Sequence, residues 1–159
     1  LLDLAKFRVF DLNLRPPFYD LILIEDIMKR SDMLKFNDQE LLLIADSMNS
    51  PFTSIKDHVK FISEMTNTDI ICITMGSKGA SLYHTGEWFN SSGFKVNVID
   101  TVGAGDSFLA TLVFNLINKK NINEALEKAC AMGALVSSHA GANTKISEDD
   151  LFVFMDKAL

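Results

Sequence analysis

The sequence predicts an α/β fold with a mainly parallel sheet, and three features lead to it. Short apolar runs alternate with segments of helical period along most of the chain. The run Ile70-Ile71-Cys72-Ile73 is continuous and β-branched, the pattern of a strand covered on both faces, as parallel strands are. Glycine-rich turns follow such runs, at the strand ends where open α/β sheets bind ligands.

The chain has 159 residues, enough for one domain with a substantial core. Nearly half are apolar, yet no apolar run is long enough to span a bilayer. The net charge is −6 and no basic stripe appears, which argues against a nucleic-acid partner. Cys72 and Cys130 fall in a predicted strand and a predicted helix, without metal or redox spacing. Buried free thiols in a reducing cytosol are expected. Leu1 is not an initiator Met and no signal-peptide pattern follows it, so the sequence reads as a piece of a longer chain.

Taken in order, residues 8–14 read as a strand that Pro16-Pro17 ends. Asp11, Asn13 and Arg15 lie at period two and so share one face or its end. Residues 19–31 suit a helix and 33–36 a short strand. Asn37-x-x-Glu40 then has the form of a capping box opening a further helix. Residues 54–65 carry Ile55, Val59 and Ile62 on one helical face, and 69–74 form the buried strand. Thr74-x-Gly76-x-x-Gly79 follows it, with Lys78 adding a positive charge; a plain turn also fits. Ala80–Tyr83 and Glu87–Phe89 flank Thr85-Gly86 and read as a hairpin.

Residues 94–99 read as a strand-like run leading into Asp100-Thr101-Val102-Gly103-Ala104-Gly105-Asp106-Ser107. A helix follows from near Gly105, with Phe108, Leu109, Leu112, Val113, Leu116 and Ile117 on its apolar face. Asn121-x-x-Glu124 is a second capping-box pattern, opening a helix to about Ser138. Its small residues Ala129, Ala131, Gly133 and Ala134 allow close packing or a ligand. A turn at Gly141-Ala142 precedes Ser147-Glu-Asp-Asp150, which caps a last helix. His58, His84 and His139 show no ligand spacing.

The loop 100–107 carries the chemistry. A glycine loop opening a helix lets backbone N–H groups approach an anion, where the unpaired donors and the helix dipole favour phosphate. It lacks the Gly-Lys-Ser/Thr ending of a P-loop. Asp106 would repel a phosphate held for binding alone, but in phosphoryl transfer a carboxylate there takes the proton of an attacking hydroxyl. A first-turn acid that only complements the helix dipole is the other reading.

Asp-Thr-x-Gly-Ala-Gly-Asp followed by a helix resembles the C-terminal signature of the ribokinase/phosphofructokinase-B family of sugar kinases. Asp11-Leu-Asn13-Leu-Arg15-Pro16, Asn37-Asp-Gln-Glu40 and Thr74-Met-Gly76-Ser-Lys78-Gly79 resemble further family elements, in the family's order. The resemblance implies a three-layer α/β/α ribokinase-like fold. Residues 1–159 would be the C-terminal nucleotide- and phosphate-binding part, and the N-terminal sugar-binding and lid half would be absent.

The implied activity is ATP-dependent phosphorylation of a sugar hydroxyl, the prolines after Arg15 pointing to a fructose-like acceptor. Asp106 would be the base, and the N–H groups of Gly103, Ala104 and Gly105 the anion hole. Asn13 and Arg15 would lie near phosphate and sugar, and Asn37, Thr74, Gly76, Lys78, Gly79 and Cys130 on the nucleotide side. Glu40 would hold Mg²⁺ through its water shell, and Asp100 and Thr101 would border a monovalent-cation site for K⁺. Lys145, where many members have Ser, is either solvated or a substitute for that ion. A cytoplasmic enzyme binding sugar and ATP is expected, with no membrane contact, a homodimer as its assembly, and no activity in the 159-residue piece alone. Two alternatives stand beside it: a non-catalytic nucleotide-binding or scaffold domain, and a nucleoside or vitamin-precursor kinase of the same superfamily.

Overall fold

The computed structural model describes residues 4–15, 17–141 and 144–157, so the turn positions Pro16 and Ala142 lie outside the described residues. The elements are β1 (Val9–Asp11), α1 (Leu21–Lys29), β2 (Met33–Asn37), α2 (Asp38–Ser47), α3 (Ile55–Thr66), β3 (Ile70–Thr74), β4 (Ala80–His84), β5 (Glu87–Ser91), α4 (Ala104–Ile117), α5 (Ile122–Ser137) and α6 (Glu148–Lys157). The strands form one sheet in the order β1-β2-β3-β4-β5. The chain divides into two compact units. One comprises Leu1–Met75 and Ser81–Trp88, the other Gly76–Ala80 and Phe89–Leu159.

In the first unit β1, β2 and β3 run parallel, with Asp11 opposite Lys35 and Asn37 opposite Thr74. Leu34, Phe36, Ile71 and Ile73 are fully buried, as the continuous apolar run at 70–73 requires. They join Ile24 and Met28 of α1, Leu41 and Ile44 of α2, and Val59 and Ile62 of α3 in one core. Full burial of each such side chain contributes about 1.5–3 kcal/mol. Asp20 caps α1 by accepting the N–H groups of Ile22 and Leu23, and Ser54 caps α3 by accepting that of Asp57. Asn37 and Glu40 form the expected capping box on α2.

β1 is shorter than the strand expected over 8–14. The N–H of Leu12 still donates to Lys35 O at 3.0 Å. The N–H of Leu14 instead donates to the Glu40 carboxylate at 3.2 Å. The period-two relation of Asp11, Asn13 and Arg15 is therefore not carried by a strand beyond Asp11.

The hairpin forms as expected around Thr85 (φ 47°) and Gly86 (φ 93°), both left-handed, which is the backbone of a type I′ turn.

In the second unit α5 packs along α4 and α6 along α5. A Cβ on Gly133 would stand 3.3 Å from Ala104 O and 3.5 Å from Phe108 Cβ, so the bare glycine seats α5 close against the start of α4. Phe108 and Leu112 of α4 are buried, as are Ala125, Leu126, Ala129 and Val136 of α5 and Leu151 of α6. Ile117, expected on the apolar face of α4, is exposed. Asn121 caps α5, accepting the N–H groups of Asn123 and Glu124. Ser147 and Asp150 cap α6 reciprocally.

The strand-like run expected at 94–99 is not a strand. Its apolar alternation meets no ladder; the N–H groups of Ile99 and Asp100 both donate to Ser137 O, at 2.9 and 3.2 Å, at the end of α5. Val98 and Ile99 are left more than half exposed.

Candidate active site

The residues singled out above fall into two groups, one in each unit. In the first unit they gather at the C-terminal ends of β1, β2 and β3. Asn37 and Thr74 sit opposite each other in the β2–β3 ladder. Asn37 Oδ1 accepts the N–H of Glu40 at 2.8 Å, and its Nδ2 meets no acceptor among the described residues. Thr74 Oγ1 donates to Phe36 O at 3.3 Å.

Glu40 is buried, and both of its oxygens are engaged. Oε2 accepts the N–H of Asn37 at 2.8 Å and Oε1 that of Leu14 at 3.2 Å. That second bond draws the segment after β1 across the start of α2. Asn13 and Arg15 on this segment are exposed, and among the described residues the Arg15 side chain donates only to its neighbour Leu14 O, from Nη1 at 3.3 Å. Most of the guanidinium is therefore open to a ligand anion.

Lys35 joins the same group and was not foreseen. It lies in mid-strand and is buried, with Nζ 2.7 Å from Asp11 Oδ1. The signal was a single charge inside Met33-Leu34-Lys35-Phe36. A lysine buried in a two-sided strand needs a partner, and its register with Asp11 supplies one.

In the second unit the loop before α4 carries the other group. Gly103 has φ 81° and precedes α4 with no side chain capping it. Ala104 N–H donates to Thr101 O at 3.3 Å, and Ser107 N–H to Gly103 O at 2.9 Å. The N–H groups of Gly103, Gly105 and Asp106 meet no acceptor among the described residues. Of the three N–H groups expected to bind an anion, that of Ala104 thus already has an acceptor in Thr101 O, while that of Asp106 is open beside those of Gly103 and Gly105. Three open donors at the positive end of a helix dipole fit a phosphate oxygen. The Asp106 side chain, in the first turn of α4, is exposed and accepts no hydrogen bond among the described residues.

Asp100 ties this loop down. Its Oδ1 accepts the N–H of Val102 at 3.0 Å and its Oδ2 that of Gly141 at 3.1 Å. These bonds, Val102 first and Gly141 second, hold its carboxyl below the usual carboxylate range. Thr101 and Lys145 are exposed.

Gly76, at φ 56°, and Lys78 lie in an exposed 3-10 turn, and Gly79 follows at φ 92°. A Cβ on Gly79 would overlap Ser91 O and lie 2.5 Å from Gly93 N, so the turn and the segment after β5 touch backbone to backbone. Gly93 was not foreseen; its only signal was one glycine in an otherwise ordinary loop. Cys130 is buried, and burial pushes its thiol up, against a hydrogen bond with Ser91 that lowers it.

His58 is buried with Nδ1 2.9 Å from Ser50 Oγ, and His139 Nδ1 is 2.8 Å from Leu135 O. Among the described residues no three His, Cys, Asp or Glu side chains cluster as a metal cage. No helix among them is long and apolar enough to cross a membrane.

Comparison with known proteins adds the family. Residues 1–149 match the model of the pfkB family of carbohydrate kinases. A fructokinase of Vibrio alginolyticus is 30% identical over 151 residues, covering 88% of this chain and 47% of that protein. Fructokinase-2 of Solanum lycopersicum is 29% identical over 145 residues, covering 84% of this chain and 43% of that protein. An ATP-dependent ribose-1-phosphate kinase of Halopiger xanaduensis is 26% identical over 132 residues, covering 83% and 41%. The chain thus spans less than half the length of these relatives.

Among solved structures, ribokinase of Thermotoga maritima superposes with a TM-score of 0.81 at 22% identity, over 98% of this chain and 51% of that one. A Vibrio cholerae fructokinase with bound fructose, ADP and calcium gives 0.78 at 27% identity, over 92% and 49%. The α/β fold is the ribokinase-like one expected from the sequence.

Proposed function

Because the chain belongs to the pfkB family of carbohydrate kinases, we propose that it forms the nucleotide- and phosphate-handling part of an enzyme that transfers the γ-phosphoryl group of ATP to a sugar hydroxyl. The observation that carries this is the start of α4. Three N–H donors without an acceptor stand there beside an exposed carboxylate with no hydrogen bond among the described residues. A site for phosphate alone gains nothing from that carboxylate, whereas a site for phosphoryl transfer needs a group to take the acceptor's proton.

In this reading Asp106 accepts the proton from the attacking hydroxyl. The N–H groups of Gly103, Gly105 and Asp106 stabilise charge on the phosphoryl oxygens. A base so near a helix N-terminus still serves, because the hydroxyl becomes acidic as its bond to phosphorus develops. In the first unit Arg15 is the forked donor to phosphate, and Asn13 is the polar contact beside it. Asn37 and Thr74, with Gly76, Lys78 and Gly79, are the nucleotide-side residues, and Cys130 lines the base.

Bound nucleotide supplies the phosphoryl group, with Mg²⁺ to neutralise phosphate charge. Both Glu40 oxygens already accept backbone N–H bonds, so Glu40 reaches such an ion only through water and its remaining lone pairs. Asp100 is engaged in the same way, and with Thr101 it borders the cation turn. Lys145 is exposed and solvated in this reading, so Lys145→Ser leaves any K⁺ response unchanged.

Fructose is the favoured acceptor, supported by the fructokinases among the relatives. The two cysteines, both buried and neither in a disulfide, support a reducing, cytoplasmic setting. The test is a phosphorylation screen of the intact protein over sugars and nucleosides with ATP and Mg²⁺. Turnover with ketohexoses is expected. Turnover with nucleosides alone would move the assignment to a nucleoside kinase, and nucleotide binding without any turnover would leave a binding domain.

A further inference from the structure

The Lys35–Asp11 ion pair has no place in the reading above. The two residues stand opposite each other in register, Asp11 at the end of β1 and Lys35 in the middle of β2. Lys35 is 7% exposed, and its ammonium is 2.7 Å from the Asp11 carboxylate. A pair with its lysine buried and its aspartate only partly covered is a weak source of stability, because desolvation offsets much of the Coulombic gain and an apolar pair of similar volume often does as well. Its geometry shows another use. Lys35 O holds the N–H of Leu12 at 3.0 Å, and Glu40 Oε1 holds that of Leu14 at 3.2 Å. Residues 11, 12 and 14 are thus each pinned, while Asn13 and Arg15 between and beyond them stay exposed.

We propose that the Lys35–Asp11 pair is a positioning pair, fixing the exit of β1 so that the Arg15 guanidinium is held ready for phosphate. This rests on the assignment of Arg15 above. Lys35 touches no substrate in this account; it acts through the backbone of residues 11–15. Loss of the pair lets that segment shift, and misplacement of a positioning group by about 1 Å costs on the order of 10²-fold in rate.

The test uses the intact protein and begins with wild-type turnover; a wild type without kinase activity defeats the reading above rather than this inference. In an active protein, the double variant Asp11→Leu/Lys35→Met is expected to keep a wild-type unfolding midpoint. It should lose about 10–10²-fold in kcat/KM. A double variant with wild-type midpoint and wild-type kcat/KM overturns the inference, since a purely structural pair would be fully replaced.

Should that variant not fold, Asp11→Asn retains the shape and a hydrogen bond to Lys35. A double-mutant cycle of Asp11→Asn with Arg15→Ala then decides. The loss from Asp11→Asn is expected to vanish in the Arg15→Ala background, and additive losses overturn the proposal.

Discussion

Glu40 Oε1 accepts the backbone N–H of Leu14 at 3.2 Å, joining residues far apart in the chain at the end of β1. The other oxygen closes the α2 capping box on Asn37 at 2.8 Å. One buried carboxylate therefore satisfies two amides that no ladder or helix reaches. Glu40→Ala should lower stability by about 1–3 kcal/mol, the cost of stranding such donors. Chemical denaturation measures it. Glu40→Gln keeps one acceptor and should cost less. If Glu40 also orders waters around Mg²⁺, Glu40→Gln in the intact protein will raise the Mg²⁺ concentration needed for half-maximal activity beyond any change in Tm.

Gly79 and Gly93 meet backbone to backbone, and Gly79 also has φ 92°. Gly79→Ala carries about 1–3 kcal/mol from that backbone angle, and the overlap of its Cβ with Ser91 O adds to it. Gly86, at φ 93°, has open space around it and serves as the control. Unfolding midpoints should fall in the order Gly86→Ala, then Gly79→Ala, the second being the larger loss. Equal losses would mean that the close approach is absorbed by small shifts.

Much of this was legible in the sequence because it is local. The Asn37–Glu40 capping box, the β-branched strand at 70–73 and the Thr85-Gly86 turn each depend on residues within a few positions of one another, whereas at Asn121 only the asparagine half of the second expected box forms. The run at 94–99 was misread because its alternation suits a strand, while the bonds that decide it come from Ser137 O, far along the chain. The same distance hid Gly93, whose importance lies in Ser77 and Gly79. Lys35 was hidden by register: nothing in β2 says that Asp11 stands opposite. In the candidate site the residue types were readable. What was not readable was which backbone donors stay open, since Ala104 N–H is claimed by Thr101 O.

Arg8 and Asp32 make a two-pronged pair, Nη2 to Oδ1 at 2.8 Å and Nε to Oδ2 at 3.0 Å, with the Arg8 N–H also donating to Oδ2 at 2.7 Å. The side-chain bond to Arg8 is the largest cause holding the Asp32 carboxyl below its ordinary value of 3.8. A group whose pKa is lower folded than unfolded binds more protons in the unfolded state. Its contribution is complete above the unfolded value and is lost as pH falls through the folded one. The window therefore lies below about pH 4. Wild-type protein should lose stability faster than Asp32→Asn on acidification through that range, as followed by unfolding midpoints. Parallel curves would mean that the pair is matched in the unfolded chain.

Asp106 stands in the first turn of α4, exposed and with no hydrogen bond to hold it among the described residues. Its removal should therefore leave the fold intact, with a Tm near that of the wild type. The chemistry should not survive so well. A positioned acid–base group contributes about 10²–10⁴-fold, so Asp106→Asn in the intact protein should lower kcat by that factor. Nucleotide affinity should move the other way or not at all. The variant keeps the open N–H groups and the helix dipole and loses a negative charge beside the phosphate. That opposition separates a base from an acid that merely complements the dipole. In the second case Asp106→Asn would cost a few tenths of a kcal/mol of stability and leave turnover near normal. Steady-state rates with the sugar found in the screen, together with nucleotide titration, distinguish the two; near-wild-type kcat in a folded Asp106→Asn protein would remove Asp106 from the chemistry.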